Sequence, residues 1–191
     1  MKLYGTTTSP YMRRVRVIAE ELGVSLEIVN TATEAGLAEL KTVSPIWKVP
    51  VAVVGETPIF DSHAIIDHLT ATHGSWGTKT ANTANQVHAI DGALESVMQC
   101  FYLKRDGVKE VAGSVFEKRQ LGRAAAVFSW LAPQLHEGSF SGGFGIAELA
   151  LVSVLDWMEF RDAYPVASTG CQAVRERWGE RPSLVKTRPH T

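Results

Sequence analysis

Ser9-Pro10-Tyr11-Met12 is the most informative stretch of this chain. It follows a short apolar segment, Lys2-Leu3-Tyr4, and opens a segment whose apolar residues recur at the spacing of one helix face. Serine is a preferred N-cap residue, and proline suits the first position of a helix. The sequence therefore predicts a strand at residues 2–4 and a helix from Ser9 to Leu22, ended by Gly23.

In thioredoxin and glutaredoxin proteins, Cys-Pro-Tyr-Cys or a close relative stands at this place between a strand and a helix. Here the hydroxyl of Ser9 and the thioether of Met12 replace the two thiols, and no cysteine occurs in residues 1–99. Dithiol oxidoreductase activity is therefore disfavoured. A hydroxyl at a helix N-terminus can instead stabilise a thiolate that another molecule brings.

The first 72 residues are predicted to form a mixed α/β layer. After the first helix we expect a strand at residues 26–30, a helix at 37–42, a hairpin at 51–60, and a helix that Asp61 and Ser62 cap. This order, with a proline leading the third strand, is the thioredoxin topology, whereas periodicity alone supports only a small α/β layer. The predicted N-terminal domain, residues 1–75, is thioredoxin-like.

The second half shows no convincing strand pattern. Residues 74–85 are polar and rich in Gly, Thr and Asn, as in a linker. Helical spacing of apolar residues then predicts helices at 85–105, 115–131, 146–164 and 171–178. The predicted fold class is therefore α/β plus all-α, with an all-helical C-terminal domain at residues 84–191.

Composition narrows the class of partner. The formal net charge of −1 provides no overall field that favours nucleic acid or an anionic membrane. The N-terminus lacks a signal-peptide pattern, and no apolar run approaches the roughly 20 residues of a membrane span. Cys100 and Cys171 stand in no CxxC or metal-ligand pattern. We expect a cytoplasmic protein with no metal, nucleic-acid or membrane partner.

Four motifs, taken together, resemble the cytosolic glutathione S-transferase superfamily, in particular its short bacterial serine-type members. Residues 3–16 are similar to the family's first strand and helix. Ser44-Pro45-Ile46-Trp47-Lys48-Val49-Pro50 is similar to Asn-Pro-x-Gly-Lys-Val-Pro, and residues 60–65 to Glu-Ser-x-Ala-Ile. Residues from Arg181 onward resemble the usual tail. The resemblance covers nearly the whole chain, and because noncatalytic relatives share these motifs, it is stronger evidence for fold than for catalysis.

The resemblance implies that Ser9 activates the thiol of glutathione as a co-substrate. The alternative is a plain N-cap, whose oxygen only accepts from backbone N–H groups. Tyr11 is the second candidate donor, whereas Tyr4 is expected in the core. Arg13 is the candidate for a positive field near the sulfur. The alternative is that this arginine, together with Arg14 and Arg16, lies on a solvated helix face or forms intersubunit ion pairs.

The resemblance also implies a cradle for the tripeptide. Val49-Pro50 resembles the family's cis-proline turn, in which the backbone of Val49 pairs with the cysteinyl part of glutathione. Lys48 would meet the glycyl carboxylate, Asp61 the ammonium group, and Ser62 with its helix N-terminus the γ-glutamyl carboxylate. The alternatives are that Lys48 is a solvated lysine, that Ser62 is only a helix cap, and that Pro50 starts a strand after a trans peptide bond.

The expected function is glutathione S-transferase activity on a small hydrophobic electrophile bound by the helical domain, with a homodimer expected from the family. Two alternatives stay open: a noncatalytic interaction or regulatory protein of the same fold, and a glutathione-dependent isomerase. Two departures from the family pattern bear on this choice. Trp47 stands where the family has glycine, and Asp61 is one methylene shorter than the usual glutamate.

Overall fold

The structure is a computed structural model that describes residues 1–74, 76 and 80–190. It divides into two compact units, Met1–Trp76 with Arg181–Thr191, and Gly77–Glu180. The division differs from the predicted domains in one respect, because the last segment groups with the first unit. Part of the predicted linker, residues 75 and 77–79, lies outside the described residues, and a helix already begins at Ala81 within that linker.

The first unit contains a four-stranded sheet in the order β2-β1-β3-β4. Its strands are β1 (Lys2–Gly5), β2 (Glu27–Asn30), β3 (Val51–Val54) and β4 (Thr57–Ile59). β2 runs parallel to β1, whereas β3 is antiparallel to both β1 and β4. With its helices this is the thioredoxin-like arrangement, so the predicted fold class is confirmed.

The α-helices of the described residues follow the predicted pattern closely. They are α1 (Pro10–Glu21), α2 (Glu34–Val43), α3 (Ser62–His73), α4 (Ala81–Arg105), α5 (Val115–Leu131), α6 (Ile146–Phe160), α7 (Ala173–Trp178) and α8 (Pro182–Lys186). Two starts differ from prediction because threonines cap them: Thr33 accepts from Gly36 N at 3.1 Å, and Thr80 from Thr83 N at 3.1 Å. Helix α8 was not predicted as a separate element.

The core of the first unit lies between the sheet and helices α1 and α3. Leu3, Val15, Ile18 and Ile65 are fully buried there, whereas Val51 packs with Tyr4 and Leu40 on the opposite face of the sheet. Successive side chains of β1 point to opposite faces of the sheet, and residues three or four apart in α1 share one face of the helix. The buried residues of the two elements therefore pack against each other in one layer. The sheet and α1 thus hold the N-terminus of α1 at a fixed place.

The last segment joins the first unit through a buried arginine of α1. Nη2 of Arg13 donates to the carbonyl oxygen of Leu184 at 3.1 Å, and its Nε donates to Oγ1 of Thr187 at 3.4 Å. The side chain of Leu184 is itself fully buried. Helix α8 is therefore part of the packing around α1.

The second unit is helical throughout its regular elements. α4 packs on α5 and α6, and eleven of the fifteen residues of α6 are buried. Buried Glu148 anchors the start of α6, since it accepts from Gly145 N at 3.0 Å and from Phe140 N at 2.7 Å. This is the half of a capping box that a glycine N-cap allows. In the described ranges, no helix is long and apolar enough to cross a membrane.

Candidate active site

Three predicted motifs of the first unit converge at one edge of the sheet. In the antiparallel pairs, Tyr4 lies opposite Val51 and Ile59 lies opposite Ala52. The C-terminal ends of β1 and β4 therefore both lie beside the N-terminal end of β3. Ser9 follows β1, Val49-Pro50 precedes β3, and Asp61-Ser62 follows β4, so the sheet brings all three to the same edge.

Gly5 makes the close approach at this edge possible. A Cβ atom at Gly5 would lie 2.5 Å from Sδ of Met12 and 3.5 Å from Cβ of Val49. The first distance is far inside van der Waals contact, and Met12 is fully buried. The first turn of α1 and the turn before β3 thus meet over a residue without a side chain. The sequence pattern does not single out Gly5, because the close contact depends on residues distant in sequence.

Ser9 is the N-cap of α1, as its position in the sequence predicts. Its backbone is extended, with φ −73° and ψ 125°, and its Oγ accepts from Met12 N at 3.3 Å. The side chain is half-buried. Since a hydroxyl can accept and donate at once, the observed cap leaves its proton available for another acceptor.

The other two predicted catalytic residues lie on the same helix in different surroundings. The guanidinium of Arg14 lies over the ring of Tyr11, 5.2 Å from its centroid, a cation–π arrangement. Arg13 is only 2% exposed and donates to the last segment, as described above. These bonds favour a packing role for Arg13, and they leave its charge inside the first unit.

Tyr4 lies in the core, as expected. Its hydroxyl donates to Oε1 of Glu39 at 2.7 Å, and the residue is 2% exposed. Burial, followed by the hydrogen bond to Glu39, raises the pKa of the Tyr4 hydroxyl above its ordinary value. Tyr4 is therefore engaged away from the converging motifs.

The peptide bond between Val49 and Pro50 is cis, as the resemblance implies. Just before it, Trp47 has φ 51°, a left-handed conformation that favours glycine. The tryptophan thus adopts the backbone region that glycine supplies in the family pattern. Its exposed ring lies over Nζ of Lys41 at 4.9 Å. Lys48 is exposed and has no hydrogen-bond or ion-pair partner among the described residues.

Asp61 and Ser62 begin α3. Oδ1 of Asp61 accepts from His63 N at 2.8 Å, so one carboxylate oxygen caps the helix and the other is left for a ligand. Ser62 is buried, and its hydroxyl bonds to no other described residue. Because this helix spans 12 residues, its N-terminus favours an anion beside these two side chains.

The helical unit supplies no rival nucleophile in the residues that the structure describes. Cys100 and Cys171 are free and buried, and burial raises the pKa of both thiols, that of Cys171 to about 11. Asp156 forms an ion pair with Nε of Arg175 at 2.8 Å. Across residues 1–74, 76 and 80–190, no three His, Cys, Asp or Glu side chains are grouped to hold a metal ion.

Comparison with known protein families points to one of them. The family model described as the glutathione S-transferase N-terminal domain matches residues 3–79. Glutathione S-transferase 4 of Zea mays is 34% identical over 76 residues, which are 38% of this chain and 34% of the maize protein. The chain thus spans about a third of the length of the curated relatives it matches.

Solved structures resemble the whole chain. A glutathione S-transferase from Methylobacterium radiotolerans, in complex with glutathione sulfonate, has a TM-score of 0.83 at 20% identity and covers 100% of this chain and 95% of that one. A maleylacetoacetate isomerase from Methylobacterium extorquens AM1, with bound malonate and glutathione, has a TM-score of 0.74 at 17% identity and covers 99% and 96%. At these identities the likeness shows the fold. Residues 3–79 therefore match the glutathione S-transferase N-terminal domain in sequence, and the whole chain shares the fold of these solved glutathione S-transferases.

Proposed function

We propose that this protein is a glutathione transferase in which Ser9 stabilises the thiolate of bound glutathione. The observation that carries the proposal is the convergence of Ser9, the cis Val49-Pro50 turn and Asp61-Ser62 at one sheet edge. Each motif alone has a structural explanation. Together they offer a hydroxyl donor, the backbone of Val49 before β3 and an anion site, which match the thiol, the peptide backbone and the γ-glutamyl end of one tripeptide.

The energetics of thiol activation fit a serine at this place. A thiol of pKa near 8.5 is only about 3% ionised at pH 7. Lowering that pKa by about two units needs roughly 2.7 kcal/mol of preferential thiolate stabilisation. A hydrogen bond to a charged group supplies about 1.5–3 kcal/mol, and a helix N-terminus about 0.3–1 kcal/mol more. The hydroxyl of Ser9 at the start of α1 combines both effects without a charged base.

The remaining motif residues have groups suited to the rest of glutathione. Val49 offers its backbone to the cysteinyl part, as an added strand would. Lys48, which has no partner among the described residues, would meet the glycyl carboxylate. The second oxygen of Asp61 would bind the ammonium group, and the hydroxyl of Ser62 the neighbouring carboxylate.

In the reaction, the thiolate attacks an electrophilic carbon of a small hydrophobic compound. A carbon–sulfur bond forms, and the leaving group departs with its electron pair. The thiol proton passes to solvent when the thiolate forms. The protein contributes thiolate stabilisation and the positioning of both reactants. As part of this proposal we expect a cytoplasmic homodimer that uses no metal.

A second candidate is a glutathione-dependent isomerase. The specific observation behind it is the fold similarity to a maleylacetoacetate isomerase solved with glutathione. In such a reaction the same thiolate would add to the substrate and leave again after rearrangement. Tyr11, the second candidate donor, would keep the same position in either reaction.

Calorimetric titration with glutathione, followed by turnover of a generic aryl halide, tests the proposal. We expect binding in the millimolar range or tighter, and turnover that falls in Ser9→Ala together with a rise in the pKa of the bound thiol. The absence of binding at millimolar glutathione would support a noncatalytic protein of this fold. Binding without aryl halide turnover in any condition would favour the isomerase.

The chain offers a matched control in Ser114→Ala. Ser114 is the N-cap of α5 and accepts from Glu117 N at 3.1 Å, three positions on, as Ser9 does from Met12 N. Both variants lose about 0.5–2 kcal/mol of helix capping. Only Ser9→Ala should change the thiol titration. An unchanged titration in Ser9→Ala would contradict the assignment.

A further inference from the structure

The first unit contains a second concave site, along the C-terminal half of α1. It has a volume of about 430 Å³, within the range of small-molecule sites. α1, β2 with the loop before it, and α8 line it. At about 1.5 Å per residue along α1, Arg16 at the near end of the cavity lies about 10 Å from Ser9, and Glu20 lies about 16 Å from it. The cavity is therefore separate from the proposed glutathione site.

Aliphatic side chains form much of one wall. Ala19, Val24, Leu26 and Ile28 line the cavity, and Ile28 is 41% exposed on the edge strand β2. Covering a β-branched side chain that is this exposed on an edge strand with apolar atoms removes its surface from water, which is favourable in free energy. The wall therefore suits the hydrocarbon part of a ligand.

Arg16 contributes the charge of the cavity. It is half-buried, and its Nη1 is fully buried without a hydrogen-bond partner among the described residues. Glu20, one helical turn away, would be its natural partner, but that carboxylate bonds Nζ of Lys186 at 2.7 and 2.8 Å. Burial and the nearby charge of Arg13 both lower the pKa of Arg16. Nη1 is closed to ligands, so an anion in the cavity would pair with the accessible part of the Arg16 guanidinium and supply a counter-charge there.

The charge balance limits the kind of anion. Lys186 and Glu20 neutralise each other, so Arg16 leaves one net positive charge at the cavity. We propose that this cavity binds a small amphipathic monocarboxylate, with its carboxylate on Arg16 and its hydrocarbon chain along Val24, Leu26 and Ile28. The proposal does not depend on glutathione binding.

Octanoate titrated into the full-length protein, followed by amide chemical shifts, tests it. We expect saturable shifts clustered at residues 16–28 and 184–187. Octanol lacks the charge and acetate lacks the chain, and both should bind at least about tenfold more weakly, as the loss of a charge-assisted hydrogen bond or of the buried chain predicts. Shifts clustered elsewhere, or equal binding of octanol and octanoate, would overturn the proposal.

Three variants make the test specific. Arg16→Met should weaken octanoate binding at least about tenfold while leaving octanol binding unchanged. Ser25→Trp, at an exposed residue that lines the cavity, should block both ligands without removing a charge. Arg119→Met, at an exposed arginine of the helical unit, is the matched control and should change neither. Full octanoate affinity in both Arg16→Met and Ser25→Trp would overturn the proposal.

Discussion

Arg181 binds the carboxylate of Glu21 through two parallel hydrogen bonds. Its Nε donates to Oε1 at 2.7 Å, and its Nη2 donates to Oε2 at 2.6 Å. The hydroxyl of Ser183 donates to the same carboxylate. The residues at the two ends of this ion pair are 160 positions apart. A single planar, charge-assisted ion pair therefore joins the end of α1 to the start of α8.

We predict that Glu21→Gln destabilises the protein in a pH-dependent manner. The hydrogen bond from Arg181 is the main cause that holds the pKa of Glu21 below its ordinary value of 4.5. A lowered folded-state pKa contributes stability above the ordinary pKa and loses it as the pH falls through the folded-state pKa. At pH 7 we expect a loss of roughly 1.5 kcal/mol, near the low end for hydrogen bonds to charged groups. Urea unfolding at pH 7 and below pH 4.5 should show the difference from wild type shrinking at the lower pH, and a constant difference would contradict this.

A pair of serines should separate ligand binding from stability. Ser62 and Ser183 are both buried near a helix N-terminus, but only Ser183 bonds a described side chain, that of Glu21. We expect Ser62→Ala to weaken glutathione about tenfold and to change the unfolding free energy by less than about 0.5 kcal/mol. Ser183→Ala should do the reverse, lowering stability by about 1 kcal/mol with glutathione affinity unchanged. Calorimetry and urea unfolding of both variants check this crossover.

Two glycines should respond to alanine in opposite directions. Gly5→Ala places a methyl group 2.5 Å from Sδ of buried Met12, so we expect a loss of about 1–3 kcal/mol from overpacking. Gly122 is exposed within α5, and no atom lies within 4 Å of the place that a methyl group would occupy, so Gly122→Ala should stabilise by about 0.5–1 kcal/mol. Thermal unfolding measures both. A stable Gly5→Ala would show that Met12 can move aside.

The two cysteines should be unreactive in the folded protein. Cys100 is 3% exposed and Cys171 is fully buried, and burial raises the pKa of Cys171 from 9.0 to about 11. At pH 8 the thiol of Cys171 is therefore protonated, and only thiolates react fast. An aromatic disulfide reagent at pH 8 should label both residues only after denaturant is added. Labelling of Cys171 within minutes in the native state would contradict the burial.

Local sequence signals predict the bounds of α1 in the first unit and of α5 in the helical unit. The proline and serine at the start of α1 and the apolar spacing of α5 set bounds that agree with the structure to within a residue or two. The predicted start of α4 is too late, because the cap at Thr80 lies in a stretch whose composition is typical of a polar linker. A sequence identifies such an N-cap only when the residues after it are already known to form a helix.

Long-range contacts account for what the sequence does not predict. Nothing near Arg13 in sequence indicates that it is buried against Leu184, since the two residues are 171 positions apart. For the same reason, the sequence does not reveal α8 as part of the first unit. In the candidate site, the cis Val49-Pro50 bond agrees with the family resemblance, whereas the close approach at Gly5 emerges only from the packing of Met12 and Val49.

The attachment of residues 181–190 to α1 also bears on the order of events during synthesis. The ribosome completes residues 80–180, the described part of the helical unit, before it reaches this segment. The first unit, although its strands emerge earliest, lacks the partners of Arg13 and Glu21 until then. Domains generally fold as units as the chain emerges. Translation thus finishes the helical unit first, and the unit that begins the chain is the last to acquire all of its native contacts.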